Sequence, residues 1–211
     1  MYIAVCDRSF GDDEWRPFVA AQGFGHLVAA GRERTVPVVV PTQFVLDGDD
    51  VLLHLAAVNP LFDAVAEQPQ VVLSVAGDWA FIPSSWKAVG GEDPALGIPT
   101  TYYAAVQLIG AATVIAEPAG VAAVLRRQLG ALQPDEAVAD PADVHRRRLT
   151  QIHAVRIAVE TVRAKFKFGG NVDDAHAWAV ADRLDVRNGP GDRAAAAHTR
   201  RRLAGGGAGQ K

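Results

Sequence analysis

The stretch YYAAVQLIGAATVI, residues 102–115, decides the predicted fold because it alternates as a β-strand with two apolar faces. Successive side chains of a strand point to opposite faces. One face carries Tyr102, Ala104, Val106, Leu108, Gly110, Ala112 and Val114. The other face carries Tyr103, Ala105, Gln107, Ile109, Ala111, Thr113 and Ile115. We expect such a strand to be covered on both sides, by a barrel interior on one and by a second subunit on the other.

The residues before this strand combine aromatic rings with hydroxyl groups. The rings belong to Trp79, Phe81, Trp86, Tyr102 and Tyr103, and the hydroxyl groups to Ser84, Ser85, Thr100 and Thr101. A planar, hydrogen-bonding ligand requires this mixture of flat apolar faces, donors and acceptors. Residues 87–98 form a connection of about a dozen residues, a length typical of lids and binding loops. The alternative is a wide surface loop between two strands whose aromatic residues are ordinary core.

The composition predicts a single globular domain, with a small extension, in a reducing compartment. The chain has 211 residues, of which 49% are hydrophobic, and its net charge of -3 does not favour non-specific attraction to nucleic acid or anionic membranes. Its one cysteine excludes an internal disulfide. Neither a signal peptide nor an apolar run long enough for a membrane span is evident. These features predict a cytoplasmic protein.

Short strands and a few helices alternate along the rest of the chain. The strands are predicted at 24–30, 35–46, 51–56, 71–76, 79–82 and 102–115, and one runs from 153 through 168. The helices are predicted at 12–22, 61–68, 118–132, 141–148, 171–184 and 194–203. Pro37 and Pro41 mark the second strand as an edge or as a bent strand. The pattern predicts a small antiparallel β-barrel with peripheral helices.

Two places could hold a phosphate. Asn59 and Pro60 begin a predicted helix just after His54, and the N–H groups of a helix N-terminus attract anions. Near residue 165, Arg163, Lys165 and Lys167 share one strand face. The alternatives are a simple helix cap and a solvated strand face. Combined with the aromatic platform, these places favour a phosphorylated aromatic cofactor, which FMN matches better than a bare nucleobase does.

Other kinds of site find little support in the sequence. The six histidines show no metal-binding spacing, and neither a P-loop nor a nucleophile elbow is present. Cys6 has no nucleophile signature around it and is interpreted as inert. We therefore predict no metal site and name no catalytic residue.

Four blocks of sequence resemble the PaiB family, whose members are described as FMN-binding negative transcriptional regulators. They are HLAAVNP (54–60), AFIPSSWKA (80–88), GIPTTYYAAVQLIGAA (97–112) and RAKFKFGGNVDDAH (163–176). The resemblance implies a split antiparallel β-barrel of the FMN-binding type with peripheral helices, related to pyridoxamine phosphate oxidases. Those oxidases are usually dimers with flavin at the subunit interface. The resemblance covers a barrel domain at 1–184 and, more loosely, a helical extension at 185–203. The composition of residues 204–211, AGGGAGQK, predicts a disordered tail.

The leading hypothesis is a cytoplasmic homodimer that binds FMN and carries the family's regulator function. The predicted cofactor contacts are His54, Asn59, Ser84, Ser85, Trp86, Thr100, Thr101, Tyr102, Lys165 and Lys167. One alternative is an oxidoreductase that uses the flavin or a deazaflavin. Another is a cofactor-free interaction module. DNA is a partner only if the regulator label applies, and the absence of a basic recognition helix predicts no tight DNA binding.

Overall fold

The computed structural model describes residues 1–88 and 92–206. Seven strands are present in this part of the chain: β1 (Phe24–Ala29), β2 (Val38–Gln43), β3 (Val45–Asp47), β4 (Asp50–Ala56), β5 (Gln70–Ile82), β6 (Thr100–Ile115) and β7 (Ile152–Lys167). They form one sheet in the order β2-β1-β5-β6-β7-β4-β3. The pairings β1–β2, β1–β5, β3–β4 and β4–β7 are antiparallel. The predicted antiparallel architecture is confirmed.

The helices follow the chain order that the sequence predicts, except that the short helix Ser84–Lys87 was not predicted. They are α1 (Asp12–Gln22), α2 (Leu61–Glu67), α3 (Ser84–Lys87), α4 (Pro118–Leu132), α5 (Pro141–Val144), α6 (Arg146–Leu149), α7 (Asp174–Arg187) and α8 (Asp192–Gly206). The helix predicted at 141–148 is therefore two short helices. The helix predicted at 171–184 begins later, because Asp173 is the N-cap of α7 and its carboxylate accepts the hydrogen bond from the backbone N–H of His176 at 2.9 Å.

The sheet ends explain the prolines that the sequence placed in the second strand. β2 lies at one edge of the sheet and contains Pro41. An edge strand tolerates proline because one of its backbone edges needs no hydrogen-bond partner. The single strand predicted at 35–46 is in fact two strands, since β2 pairs with β1 whereas β3 pairs with β4. Phe44 lies between them and is buried.

The strands predicted at 71–76 and 79–82 are one continuous strand, β5. The interruption that the sequence suggested is a local irregularity at Asp78, which has a φ of 51°. Aspartate is among the residues that adopt this left-handed conformation most readily. Burial alternates on either side of the irregularity, so Ala80 and Ile82 face the core whereas Trp79 and Phe81 are more than half exposed.

The described chain divides into two compact units. Of the described residues, the first contains 1–16, 76–88, 92–106 and 164–206, and the second contains 17–75 and 107–163. Buried side chains of the first unit include Ile82, Tyr102, Phe166 and Phe168. A core cluster of the second contains Val45, Leu52, Val121, Ala122, Val124, Leu149 and Ala154.

One predicted boundary falls inside a helix, and two predicted segments include residues that the structure does not describe. The domain boundary predicted after residue 184 falls within α7. Residues 89–91 of the predicted binding loop, and residues 207–211 of the predicted tail, lie outside the described residues. No helix in the described ranges combines the length and the apolar character that a membrane span requires.

Candidate functional site

The first unit brings together a hydroxyl group and two lysines, one of which the sequence analysis did not select. Thr100 begins β6 and Lys167 ends β7, and the Lys167 Nζ donates a hydrogen bond to the Thr100 Oγ1 at 2.6 Å. Lys87, the last residue of α3, lies close enough to Lys167 for their positive charges to repel each other. Burial lowers the pKa of Lys87, and the positive charge of Lys167 lowers that pKa further.

Lys87 and Lys167, called the lysine pair below, have no acidic partner among the residues that the structure describes. Among residues 1–88 and 92–206, no carboxylate lies within ion-pair distance of either ammonium group. Two half-buried positive charges that repel each other would be stabilised by a shared anion. Ammonium and hydroxyl groups are donors of the kind that a dianionic phosphate accepts hydrogen bonds from.

One feature of the sequence points to Lys87. This residue follows the predicted contacts Ser84, Ser85 and Trp86 directly, so any site that includes them is close to its ammonium group.

The short helix α3 holds three predicted site residues. Ser84 is half-buried and Ser85 is exposed. The ring of Trp86 is also half-buried, and the guanidinium carbon of Arg187 lies 4.8 Å from its centroid. Gly97 packs directly on the backbone of α3, where an added Cβ would overlap the Ser84 carbonyl oxygen. A glycine is therefore required for the loop before β6 to close onto α3.

The two faces of β6 separate Tyr102 from its neighbours. Thr101 and Tyr103 are half-buried on one face, whereas Tyr102 points into the core on the other and is only 1% exposed. Its ring meets the edge of Phe168, with 6.1 Å between the centroids. Its hydroxyl has no hydrogen-bond partner in the described part of the chain, and burial raises the pKa of Tyr102 to about 12. A ring closed off in this way offers no face to a cofactor.

Lys165 differs from its neighbours in the predicted basic stripe. Arg163 is exposed and Lys167 is half-buried, but Lys165 is buried. Its Nζ lies 3.7 Å from a carboxylate oxygen of Asp7 and donates to the Tyr2 carbonyl oxygen at 3.2 Å. The stripe is therefore not a uniform solvated face, because one lysine already has an internal anionic partner.

His54 and Asn59 belong to the second unit, and each already has a partner there. The His54 Nδ1 lies 2.7 Å from the Oε1 of Gln128, which is buried. The Asn59 side-chain oxygen accepts a hydrogen bond from the Leu61 backbone N–H at 3.0 Å. The Asn59 side chain is thus engaged at the first residue of α2, whose N-cap is Pro60. Of the ten predicted contacts, the structure directly joins Thr100 with Lys167 and keeps Ser84, Ser85 and Trp86 together on α3.

Metal-binding side chains do not converge in the described ranges. No group of three or more histidine, cysteine, aspartate or glutamate residues there is close enough to hold an ion.

The chain matches one known protein family over most of its length. Residues 1–161 match the model of the family described as "Putative FMN-binding domain". The chain belongs to this family. Membership in the FMN-binding domain family supports a flavin-type cofactor, in agreement with the predicted cofactor class. The search of curated proteins found no match.

Solved structures show the same fold at low sequence identity. The flavocytochrome Anf3 of Azotobacter vinelandii is 20% identical with a TM-score of 0.60, over 79% of this chain and 72% of that one. An FAD- and heme-binding protein of Mycobacterium smegmatis is 17% identical with a TM-score of 0.60, over 79% and 76%. A conserved hypothetical protein of Mycobacterium tuberculosis is 13% identical with a TM-score of 0.57, over 79% and 91%. The predicted split-barrel fold class is confirmed.

Proposed function

We propose that this chain binds FMN and that the lysine pair and Thr100 hold its phosphate. The observation that carries the proposal is the half-buried lysine pair without an acidic partner in the described residues. A phosphate near neutral pH carries nearly two negative charges, which several charge-assisted hydrogen bonds would stabilise. Lys165, His54 and Asn59 already have protein partners, so we assign the phosphate to none of them.

The aromatic part of the cofactor is assigned to the α3 side of the same unit. Trp86 offers a half-buried ring, and Ser84, Ser85 and Thr101 offer hydroxyl groups for the polar edge of a flavin. Tyr102 is excluded from this role because its ring is buried. The flavin would supply hydride transfer, and the protein side chains would bind it, orient it and exclude water.

Two structural relatives support the flavin class rather than a particular reaction. One is a flavocytochrome and the other binds FAD and heme. An oxidoreductase that uses FMN or a deazaflavin is the second candidate, since a bound flavin can supply hydride transfer. The regulator role, the homodimer, the DNA partner and the cytoplasmic location stay predictions.

Titration of the purified protein with FMN, riboflavin, FAD and a deazaflavin tests the proposal. We expect FMN to bind about tenfold to a hundredfold more tightly than riboflavin, because the phosphate adds charge-assisted hydrogen bonds. Equal affinity for FMN and riboflavin would show that the protein makes no favourable contact with the phosphate. No binding of any of these ligands would contradict the proposal and favour the cofactor-free interaction module. Turnover with a reduced nicotinamide would distinguish an enzyme from a binding protein.

A further inference from the structure

The helical pair α7 and α8 lies beyond the part of the chain that matches the FMN-binding domain family, which ends at residue 161. Its connection nevertheless packs against the strand that leads into α3. An added Cβ on Gly191, which has a φ of 81°, would overlap the Trp79 carbonyl oxygen. Such close backbone approach is open only to glycine. The C-terminal helices are therefore joined to this strand through main-chain contact.

Arg187, the last residue of α7, is held at this connection by hydrogen bonds from three of its nitrogens. Its Nε and one terminal nitrogen donate to the two carboxylate oxygens of Asp192 at 2.8 and 2.6 Å. The other terminal nitrogen donates to the Phe81 carbonyl oxygen at 2.8 Å. Asp192 is almost fully buried, and its hydrogen bonds with Arg187 hold the pKa of that carboxyl below its usual value. A bidentate contact of this kind fixes the plane of the guanidinium.

The fixed guanidinium stacks on Trp86 and so reaches the helix that carries Lys87. Its carbon lies 4.8 Å from the Trp86 ring centroid, within the range of a cation–π interaction. Trp86 and Lys87 are adjacent in α3, a helix of four residues that cannot hold its position by its own hydrogen bonds. Lys87 is also repelled by Lys167. A contact from outside α3 is needed to keep the two ammonium groups together.

We propose that Arg187 is a positioning residue that holds α3 through Trp86 and thereby keeps Lys87 beside Lys167 for the cofactor phosphate. The inference rests on the proposed FMN site. It makes the C-terminal helical pair part of that site, although the family match does not include it. Arg187 acts on the phosphate only through Lys87.

The test compares Arg187→Ala with Arg200→Ala as a matched control. Arg200 of α8 also stacks on a tryptophan, Trp178, and pairs with Asp182 and Asp185, but these partners all belong to α7 and none to α3. We expect Arg187→Ala to lower FMN affinity by about tenfold more than riboflavin affinity, since the Lys87 ammonium contact to the phosphate is lost in addition to the support of the Trp86 ring. Arg200→Ala should leave both affinities as in the wild type. Equal losses for FMN and riboflavin in Arg187→Ala would overturn the inference.

A second measurement does not depend on flavin. Acetylation of individual lysines, followed by mass spectrometry across a pH series, reports the apparent pKa of Lys87. In Arg187→Ala we expect that pKa to rise towards the ordinary lysine value, because Lys87 moves into water and away from Lys167. An unchanged Lys87 profile in this variant would refute the positioning role. A wild type that binds no FMN, while the Lys87 profile shifts as expected, would show that the proposed function failed and that the positioning role did not.

Discussion

Lys165 and Asp7 face each other at 3.7 Å with both side chains about nine-tenths buried. Two residues further along β7, Lys167 is half-buried and bonds to a threonine hydroxyl instead of a carboxylate. The two lysines occupy equivalent positions in the strand alternation but have different surroundings. This difference separates a lysine that stabilises the fold from a lysine available to a ligand.

Lys165→Ala should destabilise the protein because it leaves the Asp7 carboxylate buried and unpaired. Loss of one partner of a buried pair costs about 3 kcal/mol in the free energy of unfolding. Urea denaturation measures the loss, with Arg163→Ala as the control because Arg163 is an exposed cation on the same strand. The expectation is wrong if both variants unfold at the same urea concentration.

Removal of the lysine pair should affect cofactor affinity and not stability. We expect Lys87→Ala and Lys167→Ala each to weaken FMN binding by about tenfold to a hundredfold, since each removes a charge-assisted hydrogen bond to phosphate. Riboflavin binding should not change. Fluorescence titration of both ligands measures the difference, and Arg163→Ala again serves as the charge-matched control. If a variant that combines Lys87→Ala with Lys167→Ala binds FMN as tightly as the wild type does, the lysine pair is not the phosphate site.

Tyr102→Phe should make stability less sensitive to alkaline pH. The folded-state pKa of Tyr102 is about 12, above the value of 10.0 for an exposed tyrosine. Between these values the unfolded chain has lost the phenolic proton and the folded chain has kept it, so the folded state loses stability as the pH rises. The full contribution is present below pH about 10, and the loss is about 1.4 kcal/mol per pH unit above it.

Urea denaturation of the wild type and Tyr102→Phe from pH 8 to 11 measures this difference, in steps of about 0.5 pH units. At neutral pH the two proteins should differ by less than about 1 kcal/mol, since the buried hydroxyl has no hydrogen-bond partner within the described residues. Parallel stability curves over the alkaline range would contradict the elevated pKa.

Ile109→Lys tests the predicted homodimer. Ile109 lies on the β6 face that is only partly covered within one chain. A partner subunit would bury the introduced charge, so we expect association to weaken by several kcal/mol. Light scattering at micromolar concentration should show a wild-type dimer and a monomeric variant. Thr113→Lys is the control, because Thr113 lies on the same face but is exposed. A monomeric wild type would end the prediction.

Direct DNA binding should be weak at physiological salt. Arg146, Arg147 and Arg148 form an exposed basic cluster on α6, but the net charge of the chain is -3. Phosphate contacts by such a cluster would give a steep dependence on salt concentration. A gel shift at nanomolar protein, lost when the three arginines are replaced by alanine, would show that this prediction is wrong.

Local patterns were sufficient to predict most of the elements. The two-sided alternation of residues 102–115 predicted β6, and the prolines of the second strand predicted an edge. The helix predicted at 12–22 is α1, and Gly23, the residue after it, has a φ of 55°. These features depend on residues close together in the sequence, so periodicity and backbone preference are enough to find them.

The sequence by itself therefore determined that strands alternate with helices, the fold class and the class of cofactor, whereas only the tertiary structure decided the strand limits and which side chains are available to the cofactor. Alternation places Lys165 and Lys167 on one face, but only folding places Asp7 beside the first and Lys87 beside the second. It likewise buries Tyr102, which no local pattern distinguishes from Tyr103. Burial and charge pairing depend on segments far apart in the chain, and local periodicity does not predict how those segments pack.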